Sequence, residues 1–224
     1  MKNRIIVTAF LLALSALNFA QTSNTVAVLT KAVNMVEAKV GSASWATAKV
    51  GLTMKTGDEV KTGMKSLAVV KFTDNSLLRV RENTSIKIYS EKKGSDVNKN
   101  THVEKGTVGF NVTKQNSSEE FKFTTPTMVA SIRGTEGFVQ VTEEGNSILA
   151  VTEGAVEVTP TDKPGEGQMV QAGSFAEITP GGEVIVGEMT DAQKSEASNT
   201  QKSNTKKFKI QTNQGTLVIE YIVE

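Results

Sequence analysis

Almost every apolar segment after Gln21 alternates with a period of two and is rich in Val, Ile, Thr and Phe. That is the pattern of strands with one buried face, and no stretch sustains the i, i+3, i+4, i+7 spacing of a helix. The clearest pair runs from Ser66 to Phe72 and from Ser76 to Arg81. Ala68, Val70 and Phe72 share one face of the first strand, and Leu78 and Val80 share one face of the second. Asp74-Asn75 between them tolerates positive φ and predicts a tight hairpin. Further strands are predicted at 84–89, 103–112, 121–124, 138–142, 148–151, 155–159, 170–178 and 184–186, punctuated by glycines. Many short strands with regular turns predict an all-β sandwich, jelly roll or β-solenoid. Lys55-Thr-Gly-Asp-Glu-Val, Glu104-Lys-Gly-Thr-Val-Gly-Phe and Thr152-Glu-Gly-Ala-Val-Glu-Val share one rhythm. Each sets a turn glycine shortly before an inward Val, as successive solenoid coils would.

Polar stretches divide this order. Ser90 to Thr101 is charged and Asn-rich and is expected to be a surface loop, as is Thr161 to Gln168 with Pro164. Thr190 to Lys207 is mostly Ser, Asn, Gln, Thr and Lys and reads as a flexible linker. After it, Phe208 to Thr212 and Thr216 to Val223 flank Asn213-Gln214-Gly215, a second hairpin signal. An exposed apolar edge strand is an aggregation hazard, so this hairpin is expected to dock on an edge of the main sheet. The organisation expected is therefore 21–39 as a lead-in strand, 40–186 as the β domain, 187–207 as linker and 208–224 as hairpin.

The amino end changes the picture. Lys2 and Arg4 precede an apolar run from Ile5 to Leu17, followed by Asn18-Phe19-Ala20-Gln21. This three-part pattern is that of a secretory signal peptide over 1–20, with cleavage expected after Ala20. The run falls short of the ~20 residues a spanning helix needs, so no membrane span is expected in the mature chain. With no cysteine, disulfides, thiolate metal sites and thiol catalysis are excluded. Formal net charge is +1, from 25 basic and 24 acidic residues mixed along the chain, which gives no footprint for nucleic acid.

Catalytic groupings are not legible. His102 is the single histidine and has no nucleophile-elbow pattern around it. Asp58, Asp74, Asp96, Asp162 and Asp191 all fall where Asp serves turn backbone, without the spacing of a calcium loop. No catalytic residue, metal or cofactor is therefore expected. The most unusual element is Arg133-Gly134-Thr135-Glu136-Gly137-Phe138. It reads as a corner in which Gly134 supplies positive φ, Thr135 bonds the backbone and Arg133 pairs with a carboxylate such as Glu136. The other reading makes the corner part of a recognition surface. Trp45 has the same two readings, packing over the start of the fold or stacking on a ligand.

These residues resemble the periplasmic domain of the FecR family over about Val40 to Ile178. The resemblance rests on Val40-Gly41, Trp45, Val50-Gly51-Leu52, Gly57-Asp58-Glu59-Val60-Lys61-Thr62-Gly63, Ser66 and Phe72-Thr73-Asp74-Asn75-Ser76. It continues through Leu77-Leu78-Arg79-Val80, Asn83-Thr84, Val103-Glu104-Lys105-Gly106, Thr125-Pro126, Ala130, Arg133-Gly134-Thr135-Glu136, Phe138 and Val151-Thr-Glu153-Gly154-Ala-Val156. Asn75 stands where the family's hairpin has Gly, and Gly137 is one extra residue, expected to make a bulge. The resemblance implies a β-solenoid or jelly-roll-like domain used for binding, with Trp45 and Arg133 to Glu136 as the motif residues to watch. The family's signalling members also carry a cytoplasmic σ-factor-binding region; with a signal peptide in its place, that relay is not expected here.

The function expected is a non-enzymatic exported module, periplasmic or extracellular, that binds an envelope protein or a surface polysaccharide. A structural protein assembling through β edges and the terminal hairpin is the alternative. A polysaccharide-active enzyme on a β-solenoid is a third.

Overall fold

The computed structural model describes residues 25–94, 96–115, 119–201, 205–213 and 215–222. The expected signal peptide lies outside them. Strands sort into two layers. The A sheet takes β1 (Ala27–Val33), β4 (Thr53–Met54), β6 (Leu67–Phe72), β7 (Leu77–Val80), β12 (Glu136–Val141), β13 (Ser147–Glu153), β16 (Ser174–Ile178) and β17 (Val184–Glu188). The B sheet takes β2 (Val36–Lys39), β3 (Ala46–Thr47), β5 (Glu59–Thr62), β8 (Ser85–Lys93), β10 (Phe121–Thr124), β11 (Met128–Ile132), β14 (Ala155–Pro160) and β15 (Gln168–Gln171). The long β9 (Asp96–Asn111) belongs to both: its first half pairs with β8 and β10, its second with β7 and β12.

The A order is β4-β1-β6-β7-β9-β12-β13-β16-β17, and the B order is β3-β2-β5-β8-β9-β10-β11-β14-β15. In each, β9 is the middle strand. The chain passes back and forth between layers, a solenoid-like, all-β path that closes no barrel. Neighbours run antiparallel except β9 and β10, which run parallel.

Alternation explains the core. Ala68, Val70, Phe72, Leu78, Val80, Val108 and Phe110 point from the A sheet toward Val60, Ile86, Ile88, Phe121, Phe123 and Ala130 of the B sheet. Phe72 meets Phe121 edge-on at 5.1 Å between ring centres, and Phe110 meets Phe123 at 5.1 Å, joining the two layers by aromatic contact. The predicted hairpin is present: Ala68 faces Val80, Val70 faces Leu78, and Asn75 has φ 69°. In the three glycine-led segments Val60, Val108 and Val156 are fully buried, and Gly57, Gly106 and Gly154 have φ of 91°, 85° and 86°.

Three expectations are corrected. The stretch 90–101 is not a loop but the outer part of the β8–β9 hairpin, with Ser90 opposite Lys99 and Lys93 opposite Asp96. Its outward positions carry the Asn and charged residues that imitate loop composition. The stretch 190–207 is not an unstructured linker: α1 (Asp191–Gln201) occupies most of it and lies on the outer face of the A sheet. Thr190 caps it, its hydroxyl accepting from the Gln193 amide at 3.2 Å. Ala197 and Thr200 are buried, and Met189 and Ala197 pack with Phe138 and Ala150. Finally, β18 (Thr205–Thr212) and β19 (Gly215–Ile222) pair as the predicted hairpin, but as a two-stranded sheet of their own. They meet the body at β1 without pairing to it.

One glycine explains how α1 seats, and a second shows how tightly β12 and β13 pack. A Cβ at Gly109 would lie 2.8 Å from Thr200, so the bare backbone of β9 is what admits the helix. The bulge expected at Gly137 lies instead on the facing strand: Glu136 and Gly137 pair with Glu153 and Val151, so the unpaired residue is Thr152 of β13 and not Gly137. A Cβ at Gly137 would overlap the Ala150 carbonyl oxygen.

Candidate ligand-binding face

Sheet alternation that buries Ile86, Ile88, Thr101, Val103, Phe121 and Phe123 must turn their neighbours outward. On the B sheet this builds rows of polar side chains across the strands. One row runs Tyr89, Asn100, Lys122, Ser131. The next runs Glu59, Lys87, His102, Thr124. Glu37–Lys61 at 3.1 Å, Lys87–Glu59 at 3.5 Å and Lys122–Glu120 at 2.8 Å balance the face. Such half-exposed pairs contribute at most about 1 kcal/mol each, so they order the face more than they stabilise the fold.

Two aromatic rings stand on this face under lysines. Lys61 Nζ lies 4.3 Å from the Trp45 ring centre, and Lys87 Nζ lies 5.5 Å from that of Tyr89. Tyr89, with Glu59 beside it, raises the Lys87 ammonium above its ordinary range. Around Tyr89 the face sinks into an open groove of about 490 Å³ lined by Thr56, Tyr89, Asn98, Asn100, Glu120 and Lys122. Its walls are held from behind. Thr56 Oγ1 accepts from the Ser90 amide at 2.9 Å, and Asn98 Oδ1 accepts from the Glu120 amide at 3.0 Å.

His102 belongs to this face, on β9. Its Nδ1 is 3.1 Å from Thr124 Oγ1 and its Nε2 is 3.2 Å from Glu104 Oε2. Hydroxyl, imidazole and carboxylate thus occur in the order of a hydrolytic relay. The Thr124 hydroxyl stands between two acceptors, Asn100 Oδ1 at 3.2 Å and His102 Nδ1 at 3.1 Å, because a neutral imidazole that donates from Nε2 to Glu104 presents Nδ1 as an acceptor.

The five residues singled out from sequence do not form one site. Trp45 is half-buried just before β3, the edge of the B sheet, and packs against Lys61. Arg133 to Glu136 form the corner where the chain crosses from β11 to β12, six strand positions from β3 in the B order. At this corner Gly134 has φ 67° and the Thr135 carbonyl accepts from the Val112 amide at 2.9 Å, whereas the Thr135 hydroxyl is buried with no hydrogen-bond partner among the described residues. Glu136 accepts from Asn111 Nδ2 at 2.8 Å rather than from Arg133, which is exposed and unpaired among the described residues. Tyr89, Asn98, Asn100 and Lys122 were missed, although the alternation of Asn98, Asn100, His102 and Glu104 with Lys99, Thr101 and Val103 was there to be read.

The outer face of the A sheet is differently furnished. Gln201 Nε2 donates to the carbonyls of Phe110 at 3.0 Å and Gly137 at 2.9 Å, while its Oε1 accepts from Arg79 at 2.9 Å. Burial lowers the Arg79 pKa, Glu136 opposes that, and Arg81 adds to it. The described residues contain no group of three or more His, Asp or Glu placed to hold a metal ion.

Residues 58–157 match the family model described as FecR protein. Two solved structures of a "putative anti-sigma factor from Parabacteroides distasonis ATCC 8503" share the fold, each with a TM-score of 0.52 and 18% identity. The match covers 69% of this chain and 68% of each of those. A search of the curated proteins found no match.

Proposed function

Because the chain carries a FecR domain over residues 58–157, we infer that it is a non-enzymatic sensing and binding module exported to the cell envelope. The outer face of the B sheet carries this reading: α1 lies over the A sheet, while the B sheet presents ordered polar rows and a groove beside Tyr89. The ligand class it suits is a surface polysaccharide. Amides at Asn98 and Asn100 and the Thr56 hydroxyl offer paired donors and acceptors to sugar hydroxyls, and the Tyr89 ring offers a flat apolar patch. Lys122 is balanced by Glu120, which favours neutral over strongly charged chains. Export rests on Lys2, Arg4 and the apolar run from Ile5 to Leu17.

Calorimetric titration of the purified protein with wall and capsule polysaccharides tests the reading, with an envelope pull-down as its second arm. Saturable polysaccharide binding lost on Tyr89→Ala supports it. A captured envelope protein without polysaccharide binding replaces the ligand class. Release of new reducing ends from the polymer would overturn the non-enzymatic reading, and silence in both arms would overturn the whole.

A further inference from the structure

An isolated two-stranded hairpin is marginal in water, yet β18 and β19 stand as a separate sheet with an apolar face. Phe208 lies opposite Ile219 and Ile210 opposite Leu217, and all four are exposed. Its two edges differ in charge. β18 carries Lys206, Lys207 and Lys209 and no acid, while β19 carries Glu220 and no base.

At the far end of the A sheet, β17 is an edge strand, paired to β16 alone. Ile185 and Val186 are exposed on it, 43% and 41%. Glu183 and Glu188 flank it, both exposed and without a cationic partner among the described residues. The geometry points to β18 of one copy adding to the β17 edge of a second copy. Set antiparallel with Lys206 opposite Glu188, the register brings Phe208 to Val186 and Ile210 to Val184. The apolar face of the hairpin then continues the core face of the A sheet, on which Val184 already packs.

In this structure the hairpin rests on its own body at β1, seven strand positions from β17, so the β17 edge of the same chain stays open to a second copy. Each copy offers one hairpin and one β17 edge, a heterologous contact that builds rows or rings rather than an isologous dimer.

The chain has no cysteine, so single-cysteine variants report the register directly. Ile185→Cys and Lys209→Cys, mixed and oxidised, should give disulfide-linked dimers that neither variant gives alone. By size-exclusion with light scattering, the unmodified protein should run at multiples of the monomer mass. Removal of 202–224, or Lys206→Glu with Lys209→Glu, should return it to monomer. Glu188→Lys should do the same, and mixing that variant with Lys206→Glu should restore pairing. A strictly monomeric unmodified protein, oligomers that survive removal of 202–224, or equal cross-linking by Lys209→Cys alone would overturn the inference.

Discussion

Lys99 Nζ lies 3.1 Å from Asp74 Oδ2 with 1% of the lysine side chain exposed. Lys99 comes from the B half of β9 and Asp74 from the turn of an A-sheet hairpin, so the pair spans the two layers. Gln115 donates to Asp74 at 3.0 Å and accepts from Lys99 at 3.4 Å. Burial opposes the Asp74 charge, but the Ser76 amide, Gln115 and Lys99 outweigh it and hold the carboxyl below its ordinary value of 3.8. A carboxyl depressed on folding adds stability above that ordinary value, lost as pH falls through the lower folded one. Urea melts should therefore weaken below about pH 4, and Asp74→Asn should flatten that acid limb. At pH 7 Lys99→Met should cost about 3 kcal/mol, because it strands a partly buried carboxylate.

Gly137→Ala forces a methyl into the Ala150 carbonyl, on backbone that has no room to yield. A loss of about 3 kcal/mol is expected, or roughly 6–12 °C in melting temperature for a chain of this size. Circular dichroism melts check it, with Gly181→Ala as the control: its φ lies outside the left-handed region and its Cβ would meet only Thr179 Oγ1, at 3.8 Å.

Gly109→Val should act locally instead. The added side chain displaces Thr200 and should lift α1 while the core between the sheets stays intact. Hydrogen exchange should then quicken across 191–201 and leave β12 and β13 slow.

Asp58 is 1% exposed and accepts from the amides of Gly41 at 2.8 Å and Lys55 at 2.7 Å. Asp58→Ala orphans both donors, and a loss of about 2–4 kcal/mol by chemical denaturation is expected. Exposed Glu166→Ala should stay within about 0.5 kcal/mol.

On the B face, Tyr89→Ala and Asn100→Ala should each weaken polysaccharide binding about tenfold, near 1.4 kcal/mol, without moving the melting temperature. Arg133→Ala, at the corner, should leave binding unchanged by calorimetry.

How much of this was legible in the sequence depended on how local the cause was. Asp74-Asn75 declares its hairpin because turn chemistry sits in two residues. Val60, Val108 and Val156 declare their burial through the glycines before them. The β8–β9 hairpin was hidden because an open sheet face carries Asn, Lys and Glu, as a loop does. Inside it Lys99 points inward, held by the distant Asp74 and Gln115 together with the Val97 carbonyl. Helix α1 was hidden for another reason: it buries little besides Ala197 and Thr200, and its seat is cleared by Gly109, some ninety residues away. The groove combines Thr56, Asn98 and Lys122 from three segments, and no single spacing announces it.

Strand β9 sits fifth of nine in both sheets. Everything before it and everything after it is tied together, in either layer, through that one spar. Neither half can be pulled away without tearing β9 from its partners, so strain applied at β1 should be felt at β17. Cutting the chain to 58–157 would keep the spar and remove β1, whose Ala27 and Leu29 are fully buried against it and its neighbours. The stretch that matches the family model is therefore shorter than the packed core, which takes in β1 as well.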